Sequence, residues 1–111
     1  MTPAFDIIAT RTLDLVDESG RPVRQIHVHI GRPCQEPTGE WGLPYQIEGL
    51  GSEQVFRVFG FDAIQAIQGV QAVIGGLLAS FEEAEQGCLR WEGETDLGFP
   101  VPARSSSKGS D

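Results

Sequence analysis

Lysine is nearly missing from this chain. Lys108 is the single one; seven arginines complete the 8 basic residues, set against 16 acidic ones for a formal net charge of -8. Nucleic acids and anionic membrane surfaces are recognised by a concentrated positive face, so this balance argues against both as partners. Cysteine is scarce too. Cys34 and Cys88 stand far apart and form no CxxC pair. A secreted domain of this size stapled by disulfides carries more. Two reduced thiols in a cytoplasmic protein is the simpler expectation, with a Cys34–Cys88 bridge left open. Residues 1–10 lack the basic start and apolar run of a signal peptide. No stretch approaches the roughly 18 consecutive apolar residues of a membrane span. There is no GxGxxG after a strand and no GxxxxGK[ST], so no phosphate cradle or nucleotide cofactor is indicated. No internal repeat is present.

With 111 residues, 40% of them hydrophobic, the chain has the material for one core. A single domain over residues 1–102 is expected, followed by a disordered tail at 103–111 where Gly and Ser dominate. Residues 7–16 read as a strand, with Leu13 and Leu15 alternating against Thr12 and Asp14. Asp17 to Pro22 is dense in turn formers, and Gly20 can supply the positive φ of a tight hairpin. The return strand, 23–30, puts Ile26, Val28 and Ile30 on one face and Gln25, His27 and His29 on the other. Residues 31–42 read as a long loop. A third strand is expected over 43–48, starting at or lying on an edge because Pro44 has no donor, and a fourth over 55–59.

The period then changes from 2 to 3.6. Asp62 stands at an N-cap position, with Gln65 three residues on, as in a capping box. Ile64, Ile67, Val70, Ile74, Leu77, Leu78 and Phe81 recur at helical spacing. One helix is expected from Asp62 to Glu85, with Gly87 closing it. Gly69, Gly75 and Gly76 inside it each cost roughly 1 kcal/mol relative to Ala. Close packing on the sheet, or a small-residue seam (Ala72, Gly76, Ser80) against a second copy, would offset that. Residues 88–92 could add a last strand. The fold class is therefore α+β: an antiparallel sheet of four to five strands, two consecutive hairpins, packed against one long C-terminal helix.

Several constellations could carry chemistry. His27 and His29 alternate along a strand, so both imidazoles share a face, a spacing that metal sites use. Two ligands are not a site; Cys34, Glu36 or Glu48 would have to converge on them, and nothing in the spacing requires it. Cys34 near His29 makes a nucleophile–base pair conceivable, without a supporting elbow motif. Trp41, in a Gly-rich loop beside Tyr45, offers two amphipathic rings that either anchor a partner or cap a small core. The acidic run Glu82, Glu83, Glu85, Glu92, Glu94 and Asp96 reads as solvated surface, or as a patch that docks a basic partner.

The stretches Trp41-Gly42-Leu43-Pro44-Tyr45-Gln46-Ile47-Glu48-Gly49 and Gly60-Phe61-Asp62-Ala63-Ile64-Gln65-Ala66-Ile67, with Arg11-Thr12-Leu13-Asp14-Leu15 and Ile30-Gly31-Arg32-Pro33 upstream, resemble a small bacterial family of unknown function over residues 11–80. The resemblance implies strands followed by one helix, and no established activity. The position before Pro-Tyr, often Cys in that family, is Leu43 here, so it implies no thiol or metal role at this place. Asp62 and Gln65 would cap the helix, and Trp41 and Tyr45 would pack near the strand–helix corner. If these residues line a cleft instead, Trp41, Tyr45, Glu48, Asp62 and Gln65 are its expected lining.

No convergent catalytic set emerges, and no cofactor is expected. The functional expectation is a non-enzymatic protein-binding or accessory module of acidic inhibitor or immunity type, contacting a protein partner or a second copy. The alternative is a small metal-dependent hydrolase using His27 and His29.

Overall fold

Alternating apolar residues build the first hairpin. Strands β1 (Ile7–Val16) and β2 (Pro22–Gly31) pair antiparallel, with Leu13 opposite Ile26 and Arg11 opposite Val28. The structure, a computed structural model, describes residues 5–51 and 53–100, so the tail expected at 103–111 lies outside the described residues. Gly20 turns the hairpin at φ +86°. The Asp17 carboxylate holds the turn by accepting from the Ser19 and Arg21 N–H groups, each at 2.9 Å.

The segment expected as a long loop holds a short hairpin. Strand β3 (Cys34–Gln35) pairs with Trp41 and Gly42, so β4 (Trp41–Glu48) begins two residues before the expected Leu43. Backbone bonds from Glu36 N–H to the Glu40 carbonyl (2.7 Å) and from Gly39 N–H to the Glu36 carbonyl (2.8 Å) close its turn. Pro44 lies inside β4, neither at its start nor on a sheet edge. On one side β4 pairs with β2 and then β3, and on the other with β5 (Phe56–Gly60). The ladder to β2 and β3 passes from Tyr45–Ile30 to Gly42–Cys34 without pairing Leu43 or Pro44. That interruption falls on the residue that has no N–H to give.

Helix α1 (Ala63–Ser80) follows a tight corner at Gly60, where a Cβ would sit 2.7 Å from the Ala66 nitrogen. It stops five residues before the expected Glu85. Phe81 turns extended (φ -73°, ψ 142°), and a separate short helix, α2 (Glu82–Glu85), begins after it. The physical reason is the helix dipole. Continued without a break, Glu82, Glu83 and Glu85 would crowd the negative C-terminal end; after the break they fill the first turn of α2, at its positive end. Gly87, at φ +74°, ends α2. Strand β6 (Leu89–Arg90) then pairs with β1 at Asp14 and Leu15. The antiparallel sheet reads β5-β4-β2-β1-β6 across, with β3 continuing the line of β2 along β4.

One face of the sheet is covered in two pieces. α1 lies over β4 and β5, close enough that a Cβ at Gly69 would be 3.1 Å from Val58. Leu13, Ile26, Leu43 and Leu89 from the sheet and Ile74 and Leu78 from α1 are at most 1% exposed, and each such side chain contributes roughly 1.5–3 kcal/mol. By length and mean hydropathy (18 residues, 1.3), α1 also meets the requirement for crossing a membrane. Gln65, Gln68 and Gln71 hide that apolarity from a count of consecutive residues. In this fold the same apolarity serves the core, with Ala66, Val70, Ile74, Gly75 and Leu78 buried. The second piece is the segment 91–100. The Arg11 guanidinium, reaching up from β1, lies 3.9 Å from the centre of the Trp91 ring and 4.8 Å from that of Phe99. It also donates to the Leu97 carbonyl (3.1 Å).

Candidate functional site

The sheet's other face carries the imidazoles. Register sets Thr10, His29 and Gln46 in one row across β1, β2 and β4, and Thr12, His27 and Glu48 in the next. The two rings stack with centroids 6.0 Å apart and planes 18° from parallel. His29 Nε2 lies 3.0 Å from Glu48 Oε1, and its Nδ1 lies 2.9 Å from Thr10 Oγ1. A carboxylate can only accept, so Nε2–H is the donor to Glu48; where the ring carries that one proton, Nδ1 is left to accept from the Thr10 hydroxyl. His27 Nδ1 pairs with Thr12 Oγ1 at 3.1 Å. Among the described residues, no three or more His, Cys, Asp or Glu side chains are grouped to hold a metal ion. Cys34 Sγ instead lies 3.7 Å from the Arg32 carbonyl, and Glu36 binds Arg57 at 3.3 Å. None of the four clefts described includes either imidazole.

The five residues expected to line one cleft are divided among four places. Glu48 is on the imidazole face. Asp62 and Gln65 build the start of α1: Asp62 Oδ1 accepts from Gln65 N–H (2.8 Å), and Gln65 Oε1 accepts from Phe61 N–H (2.6 Å). The return bond thus reaches one residue further back than in the usual capping box. Trp41 pairs with Gly60, the last residue of β5 before the corner, and packs against the core.

Tyr45 is the one that lines a cleft. Its ring stacks on Phe56, centroids 5.8 Å apart. Ile47, Leu50, Leu77 and Phe81 complete the walls of a space of about 290 Å³. Tyr45 is 6% exposed, and burial pushes its phenol above the ordinary 10.0. The hydroxyl has no hydrogen-bond partner among the described residues. Sequence reasoning missed Leu50, Leu77 and Phe81. The helical period had assigned the last two to a helix continuing past Ser80, and a turn leucine carries no periodic signal.

The six acidic residues of the run from Glu82 to Asp96 gather at the β6 end. α2 presents Glu82, Glu83 and Glu85, and a tight turn between Trp91 and Glu94 presents Glu92 and Glu94. Asp96 and Glu85 share the rim of a crevice of about 200 Å³ under the segment 95–99. Cys88 adjoins β6 while Cys34 is on β3, beside β4; both are free thiols.

No curated protein and no solved structure matches this chain. The family described as "Domain of unknown function (DUF6968)" matches residues 9–101, which take in all six strands and both helices apart from the first two residues of β1, and the chain belongs to that family.

Proposed function

We propose that this domain is a non-enzymatic protein-binding module that holds an apolar side chain of its partner in the Tyr45 cleft. One observation carries the reading: the roomiest of the four clefts is walled by Tyr45, Ile47, Leu50, Phe56, Leu77 and Phe81. It contains no carboxylate, imidazole or thiol. Such a space can grip a side chain, with the Tyr45 hydroxyl as its one polar contact, but it has no group for acid–base or nucleophilic work. The acidic β6 end adds electrostatic steering toward a basic partner, as an inhibitor or immunity-type protein would use. Two free thiols support a reducing, cytoplasmic setting. The hydrolase alternative draws on His27 and His29, whose supporting atoms on the described chain are Thr10, Thr12 and one carboxylate, Glu48.

The test is an NMR titration with N-acetyl-phenylalaninamide and N-acetyl-leucinamide. Saturable shifts are expected at Tyr45, Leu50, Leu77 and Phe81, and a cleft-filling Leu50→Trp variant should abolish them. Shifts confined to the imidazole face, or none at all, would overturn the reading.

A further inference from the structure

We propose that the gap between the two covers of the sheet binds a small organic carboxylate, an anion with a compact apolar body, held by the Arg11 guanidinium and the Gln71 carboxamide. The site is separate from the Tyr45 cleft and does not depend on the binding reading above.

Side-chain size opens the gap. Alternate residues share a face of a strand, so the inner face of β1 carries Leu15, Leu13, Arg11 and Ala9 in turn. The two leucines fill the core. Ala9, next to the register shift between Ile7 and Ala9, is too short to fill the space above Ile30, its partner across the ladder. What remains is a cavity of about 260 Å³ beside Val28 and Ile30. Gln71 of α1 borders it from the helix side, and Gly98 and Phe99 border it from the closing segment. Gln71 lies one turn before Gly75 on the same flank of α1. At Gly75 the Pro100 carbonyl meets the helix, so the two covers touch there and part at Gln71.

The charge at this gap has no counter-ion. The Arg11 guanidinium lies 4.8 Å from the centre of the Phe99 ring, and a Cβ on Gly98 would come 2.6 Å from its Nη1. Both of those residues line the cavity, so the guanidinium stands at its border. Arg32 and Arg57 pair with Asp6 and Glu36, whereas Arg11 pairs with no carboxylate among the described residues. Asp96, the acid nearest to Gly98 along the chain, accepts from the Gly98 N–H at 2.9 Å instead. No Asp or Glu lines the cavity. Trp91 and Phe99 engage the guanidinium through their ring faces, and Leu97 takes one N–H, which leaves others to give. Gln71 is exposed, and its carboxamide has no hydrogen-bond partner among the described residues.

Those groups select the ligand class. A carboxylate is the planar acceptor that a guanidinium fork fits, and the carboxamide N–H groups add a donor from the helix side. Ala9, Val28, Ile30 and the Phe99 ring suit an apolar body. Inorganic phosphate would lose its hydration against those walls and carry more charge toward a chain of net charge -8. The cavity has room for about nine non-hydrogen atoms at the ~30 Å³ that a water occupies in the liquid.

An NMR titration of the full chain with benzoate tests this. Saturable shifts are expected at Ala9, Ile30, Gln71 and Phe99, with a Kd below about 1 mM. Benzamide, which keeps the shape and lacks the charge, should bind at least about tenfold more weakly, and inorganic phosphate should not displace benzoate. Gln71→Glu, an exposed change between two good helix formers, sets a like charge against the ligand and should weaken benzoate at least about tenfold. Arg11→Gln should abolish binding; if its amide spectrum shows an unfolded chain, Gln71→Glu decides alone. The absence of saturable shifts overturns the inference, as does equal binding of benzamide, displacement by phosphate, or indifference to Gln71→Glu. Benzoate shifts at Tyr45, Leu50 and Phe81 in place of the expected set overturn it too. A chain that fails these tests and still binds the uncharged N-acetyl amides leaves the protein-binding reading standing.

Discussion

Gly75 and Pro100 meet backbone to backbone: the Pro100 carbonyl fills the space that a Cβ on Gly75 would occupy, with the Phe99 Cβ 3.1 Å from the same point. The glycine that weakens α1 is the position where the closing segment crosses it. Replacing it with Ala would raise helix propensity by about 1 kcal/mol. It would also push the segment off the helix, which we expect to cost roughly 1–3 kcal/mol and to win, because the obstacle is backbone. Urea unfolding of Gly75→Ala should show a lower midpoint; a higher one would mean that the crossing is loose.

Arg11 ties the same segment from the other side. Its flat guanidinium lies against Trp91 and Phe99 and donates to the Leu97 carbonyl. A lysine keeps the charge and loses both the plane and the fork. We expect Arg11→Lys and Arg11→Ala to be destabilised by similar amounts, about 1–2 kcal/mol. With Trp41→Phe as background, Trp91 emission should shift to the red in both. Full rescue by lysine would show that charge alone matters.

Asp62 and Gln65 build the start of α1 through side-chain bonds to the Gln65 and Phe61 N–H groups. Asp62→Ala should cost about 1 kcal/mol, while Asp62→Asn, which can still accept from Gln65 N–H, should be close to neutral. Thermal denaturation of the pair decides this. An asparagine as damaging as alanine would point to a role for the charge itself.

Tyr45 gives a pH signature. It is the only tyrosine, so absorbance titration at alkaline pH reports it alone. Burial disfavours the phenolate, raising the folded pKa above 10.0. The unfolded chain therefore loses this proton first. The contribution to stability is fully present below pH 10.0 and declines as pH rises through the higher folded value. Tyr45→Phe should remove that decline. Because the hydroxyl has no partner on the described chain, the change should cost less than about 1 kcal/mol at neutral pH. A large loss at neutral pH would reveal a hydrogen bond made by that oxygen.

The first hairpin and the start of α1 were legible because their signals are local. Leu13 and Leu15 alternate, Ile26 to Ile30 alternate in reply, and Gly20 and Asp62 stand at the turn and the cap. Phe81 was not legible: apolar spacing continues through it, and only the dipole and the six-residue cleft explain why it turns. β3 was lost because two residues pairing across a tight turn leave no periodic trace. Of the candidate residues, the shared face of His27 and His29 follows from alternation, but Thr10, Thr12 and Glu48 reach them through register that only the folded sheet fixes. The Arg11 clasp is the extreme case, since its acceptor Leu97 is 86 residues away.

That separation has a consequence for biogenesis. β1 is roofed at Arg11 by a segment 86 residues further along the chain, so during synthesis the sheet built by β1 and β2 stays partly uncovered until residues 91–100 have emerged. During that interval the nascent chain would depend on a chaperone or on fast elongation, and a truncation just short of Trp91 should be cleared by proteases even though every strand has already been made.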